Sequence, residues 1–438
     1  MRTPDNIKDE LNNAIFDAVE KSGEYQLDRN YGFTRNRSLT MEKVIKLLLS
    51  MNGGSLQKEL YAAGVNVSAS AFCQRRQKIV STVFEDVFNN FNVTAEADTK
   101  RFRGYRLFAV DGTTINMARN KNSSTFLQDG GKGYNAFHLN PIFDILNNTY
   151  FSAVIQPQPR MDEIGALTFM LQWNAFPEKS IVILDRGYQS YNMIARLINT
   201  ANVHFVMRVK HNSKAAMREI QKLPMTDLDT TVSQVITITQ TNEDKRENRI
   251  FLQTGSKKGK VNSPGTRITR WDFPSPYPLK FRVVRRKLPK TNEYETLITS
   301  LPPDVFSADD IVDLYSFRWY IESQFKALKY TVGIANLHAK KDDLVRQEIW
   351  AAMTIQNFCS RIVSNVVLAQ KDANKYEYAV NYKMAVMLCK EFLRDPNGNS
   401  TELLRNIARY TEPIRPGRQD ERNMKVKSFP GFCYRIAA

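Results

Sequence analysis

Tyr315, Arg318, Glu322 and Lys329 lie in the stretch DLYSFRWYIESQFKALKY, which begins at Asp313. Their spacings of three, four and seven residues, at about 100° per residue, align all four in one stripe about 21 Å long on one face of an α-helix. The same spacing suits a solvated face on which Arg318 and Glu322 form an ordinary i,i+4 pair. Two further acids bear on the choice. Asp111 closes the apolar run of RLFAVD and Asp185 that of SIVILD. Acids at strand ends of an α/β sheet sit in the crevice where ligands bind, although either one alone could serve as a turn-former. Three carboxylates from distant parts of the chain are the number that holds two hard cations through oxygen ligands. No Ser/His/Asp or Cys/His set competes, and His138, His204, His211 and His338 are too few for an imidazole-rich metal site. Phosphoryl transfer on a polyanion is the reaction such residues suit.

Elements must bring these acids together. Ser307 as N-cap, Asp309 and Asp310 in the first turn and Gly333 as a stop predict one helix over 308–331. RLFAVDGTTINM reads as a strand ending in an acid, HLNPIFDILNN and TYFSAVIQP as the next two, and MDEIGALTFMLQWNAF as an amphipathic helix. SIVILDRGYQS is a buried-type strand, YNMIARLINTA a helix and VHFVMRVKH a strand. That order, β-β-β-α-β-α-β, predicts a mixed sheet with helices packed on it. Residues 214–302 break the pattern with VSQVITITQT, NRIFLQTG, TRITRWDF, LKFRVVRRKL and YETLITSL, five strands of a β-rich insertion. Residues 1–98 read as helices. Two short ones, SLQKELYAAG and ASAFCQRRQKIV, flank a glycine turn and would set Gln74, Arg75, Arg76 and Lys78 on a recognition helix, or else on the basic face of a bundle. Helices over 342–370 and 378–394 precede a basic tail.

Charge points to the partner. Lys and Arg number 62 against 45 Asp and Glu in 438 residues, a net +17, which favours a polyanion such as nucleic acid. Residues 208–290 alone hold 19 Lys and Arg against 7 Asp and Glu, so this stretch carries +12 of the +17. It includes Lys257, Lys258, Lys260, Arg282, Arg285, Arg286 and Lys287. The RVVRRK run has a second reading, as an exposed strand whose charges protect a sheet edge. Trp271 in the same stretch could stack on a base or be a buried strand residue, and Trp319 reads as core. Cys73, Cys359, Cys389 and Cys433 form no CxxC or His/Cys cluster, so neither a zinc site nor a disulfide framework is expected. The N-terminus lacks a leader pattern and no apolar run reaches 18 residues, so neither secretion nor a membrane span is expected.

The segments VDGTT, LDRGYQS and YSFRWYIESQFKALK resemble the three acidic motifs of bacterial insertion-sequence DDE transposases. Within them the chain is similar to the cut-and-paste group whose third motif reads YxxRxxxExxxxxxK, with a β-rich insertion between the second aspartate and the glutamate. The likeness covers most of residues 105–335, and Tyr315, Arg318, Glu322 and Lys329 meet the third motif in full. It implies an α/β ribonuclease-H-like mixed-sheet core with a β-rich insertion, flanked by N-terminal and C-terminal helical regions. The expected organisation is a helical DNA-binding domain at 1–98, catalytic core at 99–213 and 303–340, insertion at 214–302 and a helical region at 341–438. The resemblance further implies that Asp111, Asp185 and Glu322 are catalytic and hold two Mg²⁺ ions, with Mn²⁺ able to substitute. Tyr315, Arg318 and Lys329 would hold the terminal DNA strand, with Arg75, Arg76, Arg285, Arg286 and Lys287 as further DNA-binding residues. The implied reaction is two-metal phosphoryl transfer, hydrolysis and then strand transfer by the 3′-hydroxyl, at the inverted-repeat ends of the chain's own element and at target DNA. A homodimer on DNA and a bacterial cytoplasmic, nucleoid-associated location are implied as well. Two other classes stay open: a domesticated or inactive transposase-derived DNA-binding protein, which should have lost an acid, and a ribonuclease-H-like structure-selective nuclease, which would not need the tyrosine-arginine-glutamate-lysine stripe.

Overall fold

The computed structural model describes residues 2–27, 38–52, 54–94, 99–211, 217–254, 270–288, 293–370 and 375–415. Five helices come first: α1 (Pro4–Glu20), α2 (Met41–Ser50), α3 (Leu56–Ala62), α4 (Ala69–Arg76) and α5 (Thr82–Val93). Five strands follow: β1 (Arg106–Val110), β2 (Thr113–Met117), β3 (Phe126–Leu127), β4 (Tyr134–Asp144) and β5 (Thr149–Pro157). The chain then alternates through α6 (Glu163–Trp173), β6 (Ser180–Leu184), α7 (Tyr191–Asn199) and β7 (Val203–Arg208). Next come α8 (Arg218–Gln221), β8 (Leu228–Thr237), α9 (Asn242–Arg246), β9 (Ile250–Phe251), β10 (Tyr277–Lys287) and β11 (Tyr294–Thr299). Helices α10 (Ala308–Ser316) and α11 (Trp319–Lys326), a π-helical segment (Ala327–Val332), α12 (Asp342–Val363), β12 (Tyr378–Val380), α13 (Tyr382–Arg394), α14 (Ser400–Arg409) and β13 (Thr411–Pro413) complete the order. The predicted single strand over RLFAVDGTTINM is thus two strands, broken at Asp111–Gly112. The chain divides into two compact units.

One unit comprises Arg101–Asp111 and Asp162–Ile321. Its strands lie in the order β1-β6-β7-β11-β10-β8-β9, a mixed sheet. Strand β6 runs parallel to both β1 and β7, and all five of its residues are buried, as a parallel strand covered on both faces requires. Helix α6, capped by the Asp162 side chain on the Gly165 amide, leads into β6, and α7, capped by Ser190, crosses from β6 to β7. The insertion strands join the same sheet: β11 pairs antiparallel with β7, and β10 is antiparallel to both β11 and β8. Pairing β11 on β7 removes an edge that would otherwise expose unpaired amides. Strand β10 is therefore interior, and the edge-strand reading of RVVRRK does not hold. The predicted strand TRITRWDF lies partly outside the described residues, and its Arg270–Phe273 portion is coil.

The other unit comprises Met1–Lys100, Gly112–Met161 and Glu322–Ala438. It pairs β4 antiparallel with β2, β3 and β5. The long helix α12 is its spine, packed against α1, α2, α5, α13 and β5. Arg75 and Arg76, expected on a DNA-facing helix, point inward instead. Arg75 donates from Nε to the Leu39 carbonyl at 3.0 Å. Arg76 is 1% exposed, and its guanidinium meets Glu348 Oε1 at 2.9 Å, Gln347 Oε1 at 3.1 Å and the Leu344 carbonyl at 2.7 Å. A buried cation must be fully paired, and α12 supplies every partner. The basic half-turn of α4 is a structural clasp.

Candidate active site at the ends of two parallel strands

Strands β1 and β6 are in register from Arg106↔Ser180 to Val110↔Leu184, so the next residue on each strand is an aspartate. Neighbouring strands lie about 4.8 Å apart, which sets Asp111 and Asp185 side by side at the carboxyl ends of a parallel pair. Five consecutive buried residues on each strand fix this placement. Both carboxylates are partly exposed. Beyond Asp185 the chain makes a single 3₁₀ turn, Arg186–Tyr188, for which Asp185 is the N-cap: its Oδ1 accepts from the Gly187 amide. A Cβ at position 187 would stand 3.1 Å from that same oxygen, so glycine leaves the carboxylate room. Tyr188 ends the turn with its ring buried, 2% exposed, and among the described residues its hydroxyl has no hydrogen-bond partner. Burial, then the charges of Glu163, Asp111 and Asp185, push that hydroxyl well above the ordinary tyrosine range.

Arg318 reaches this pair from within the same unit, its Nη1 lying 3.3 Å from Asp111 Oδ2. Its guanidinium also stacks over the Trp319 ring at 4.9 Å from the centroid. Trp319 is 52% exposed and not core. Tyr315 is buried in this unit, and burial raises its hydroxyl; Arg318 and Arg208 oppose the rise, while Glu295 and Asp185 add to it. Glu295, 3.4 Å from Arg208, is likewise raised by burial against the pull of Arg208 and Arg318.

The predicted continuous helix over 308–331 is broken. After Ser316 the amides of Phe317, Arg318, Tyr320 and Ile321 bond three residues back instead of four, to Leu314, Tyr315, Phe317 and Arg318. The ladder tightens there, α11 begins at Trp319, and widening to a π-helical segment follows from Ala327 until Gly333 ends it at φ 106°. A count of 100° per residue therefore does not carry from Tyr315 to Lys329. Glu322 is the residue at which the other unit resumes, half-buried on α11. Lys329, in the π-helical segment, is also half-buried, and burial lowers its ammonium below the usual lysine range.

The basic insertion is not the continuous surface its charge count suggests. Arg285 is 0% exposed and donates to Thr296 Oγ1 and to the carbonyls of Ile220, Leu223 and Pro224. Arg282 is clamped by both Asp229 oxygens, at 2.7 and 2.6 Å, and by the Phe306 carbonyl. Arg249 faces Glu243, Asp244 and Glu247. Of the expected trio, Arg286 bonds the exposed Asp309 at 3.0 Å, and only Lys287 is exposed. Lys257, Lys258 and Lys260 lie outside the described residues. Trp271 is neither in a strand nor fully buried: it packs edge-on with Phe273 and Tyr277, each at 5.5 Å, and donates to the Pro274 carbonyl. Asp272 ties this segment to α7 through Asn192 and Arg196. Burial disfavours its ionisation, yet the bonds from Asn192, Arg270 and Arg196 win and hold its carboxyl at about 2.

Two carboxylates on neighbouring strand ends, flanked by an unpartnered hydroxyl, are the all-oxygen donor set that a hard divalent cation takes. Arg318 now supplies the positive charge beside Asp111. Among the described residues no set of three or more His, Cys, Asp or Glu is gathered tightly enough to hold a metal ion, so the fit rests on the aspartate pair. Tyr188, Glu163 and Glu295 carried no signal of their own in the sequence beyond the proximity of Tyr188 to Asp185.

Strands β1 to β5, then α6, β6, α7 and β7, with acids following β1 and β6, make up a mixed-sheet α/β protein. The chain belongs to the Transposase DDE domain family, which matches residues 102–358, more than half of its length. It is similar to the putative transposase InsL for insertion sequence element IS186A of Escherichia coli (strain K12), 39% identical over 72 residues, 16% of this chain and 20% of that protein. The transposase for insertion sequence element IS421 of Escherichia coli is also 39% identical over 72 residues, 16% of this chain and 19% of that one. The similarity thus spans about a fifth of the length of these curated relatives. Among solved structures, the piggyBac transposase synaptic complex with hairpin DNA aligns with a TM-score of 0.40 and 11% identity, over 95% of this chain and 78% of that one. Among the described residues no helix is long and apolar enough to cross a membrane.

Proposed function

We propose that the protein is a transposase that cuts and joins DNA at the ends of its own insertion sequence by metal-dependent phosphoryl transfer. The observation that carries this reading is the placement of Asp111 and Asp185 at matched ends of adjacent parallel strands, with Arg318 on Asp111. Asp111, Asp185 and Glu322 would hold two Mg²⁺ ions, or Mn²⁺ in their place. Bound there, the ions would supply Lewis-acid polarisation of the scissile phosphate and of the attacking water or 3′-hydroxyl. The chain's own groups do the rest. Arg318 neutralises Asp111 in the unloaded site and becomes available to a phosphate oxygen once that charge is met otherwise. Lys329, with its ammonium lowered by burial, sheds little hydration on meeting a phosphate, and Tyr315 is buried within the electrostatic reach of Arg318 and Asp185. Lys287 and Arg286 are the members of the expected basic trio still able to meet DNA. The partners in this reading are double-stranded inverted-repeat ends and target DNA, engaged by a homodimer, which places the protein at the nucleoid when bound.

Gel-shift and cleavage assays on one preparation test the reading. Asp185→Asn should abolish strand cleavage and leave binding to an end-containing duplex nearly intact, because an amide is a poor ligand for a hard cation whereas affinity comes from many basic residues. Equal loss of both would make Asp185 structural. Binding without cleavage by the wild type would favour a domesticated DNA-binding protein, and cleavage of branched DNA without end preference a structure-selective nuclease.

A further inference from the structure

Buried hydroxyls almost always find a partner, and the few that do not call for an explanation. The Tyr188 hydroxyl is such a case: the residue is 2% exposed and, among the described residues, the oxygen has no hydrogen-bond partner. Packing does not account for it, since phenylalanine would fill the same volume without stripping a hydroxyl of water. Its position does. Tyr188 closes the 3₁₀ turn that Asp185 opens, its amide donating to the Asp185 carbonyl at 3.3 Å. The buried ring thus anchors the turn whose Gly187 amide holds the Asp185 carboxylate. Three negative charges act on the hydroxyl from three elements: Asp111 at the end of β1, Asp185 at the end of β6, and Glu163 in the first turn of α6. A neutral phenol under the influence of acids can only donate usefully, and among the described residues no side chain or carbonyl accepts from it.

We propose that Tyr188 is a positioning residue of the aspartate pair, whose hydroxyl donates to a water molecule held between Asp111 and Asp185 and so supports the divalent cation those carboxylates take. The inference rests on the metal-dependent reading of the site. Outer groups of this kind commonly change metal affinity ten- to a hundredfold, and the cost is a group left poorly satisfied when the site is unloaded. Metal affinity and stability without metal should therefore respond in opposite directions when the hydroxyl is removed.

The test compares full-length wild type, Tyr188→Phe and Asp185→Asn. Mn²⁺ binding is read from the electron paramagnetic resonance signal of free Mn²⁺, and thermal unfolding is followed in EDTA. Tyr188→Phe should bind Mn²⁺ about tenfold more weakly, while in EDTA it should unfold at the wild-type temperature or above it. Asp185→Asn should lose the site. Wild-type Mn²⁺ affinity in Tyr188→Phe, with binding still dependent on Asp185, overturns the role of Tyr188 and leaves the metal reading standing. A fall in the EDTA unfolding temperature of Tyr188→Phe also overturns it, by showing that the hydroxyl serves the fold. Mn²⁺ binding that does not depend on Asp185 removes the metal reading and this inference with it.

Discussion

At the scale of single residues, the proposed reaction would set Arg318 and a divalent cation in competition for one carboxylate. The guanidinium is buried and lies 3.3 Å from Asp111 Oδ2, close enough that each must displace or share with the other. Arg318→Gln removes the competitor and should raise Mn²⁺ affinity a few-fold, yet lower strand cleavage by about tenfold or more because the guanidinium no longer holds a phosphate oxygen. Titration and single-turnover cleavage on the same preparation measure both. Weaker Mn²⁺ binding in this variant would mean that Arg318 holds Asp111 in place and does not compete for it.

At the scale of elements, β10 shows how one strand divides its cations between structure and surface. Arg285 satisfies three backbone carbonyls and a threonine hydroxyl inside the unit, whereas Lys287 at the strand's end is exposed. Arg285→Met should cost about 2–4 kcal/mol, because the carbonyls it leaves behind remain buried and unpaired. Lys287→Gln should stay within about 0.5 kcal/mol. Urea unfolding at unchanged m-value separates the two. Neutralising Arg286 and Lys287 together should lower the slope of log K against log salt for an end-containing duplex by about 0.9 for each phosphate that is no longer neutralised. An unchanged slope would take this end of β10 out of the DNA surface.

At the scale of the whole molecule, both units are built from separated stretches of chain, so neither can complete its core from one contiguous segment. The first hundred residues show the consequence. Arg76 is buried, and Gln347, Glu348 and Leu344 of α12, about 270 residues on, satisfy it. A fragment of residues 1–100 should therefore fail to fold, giving a collapsed amide spectrum by NMR. Glu348→Ala in the full chain should destabilise by about 3–5 kcal/mol, as expected when one partner of a buried ion pair is removed. A well-dispersed spectrum from the fragment would show that the clasp on α12 is dispensable. Net charge belongs to this scale too. Arg282 and Arg285 of residues 208–290 are buried inside the unit, and Glu295 and Asp309, from outside that stretch, meet Arg208 and Arg286, so the field a polyanion meets is weaker than the net +12 implies.

By itself the sequence determined what local pattern controls. Apolar runs of five residues announced β1 and β6 and the acids that end them, and Ser307 marked a helix start where the structure has it. The acidic motifs were sufficient for the family. What a residue faces is a different matter, because it depends on which distant element packs on it. The partners of Arg76 on α12 and those of Arg285 in the loop after α8 are invisible to any count of charge or period. The break at Phe317–Arg318 follows from hydrogen bonds that shorten by one residue, and it leaves Trp319 in solvent where an unbroken apolar pattern reads as core. The juxtaposition of Asp111 and Asp185 needed the β1–β6 register, and the isolation of the Tyr188 hydroxyl needed every neighbour in place: both are sums over interactions between residues far apart in sequence, which only the folded chain brings within range.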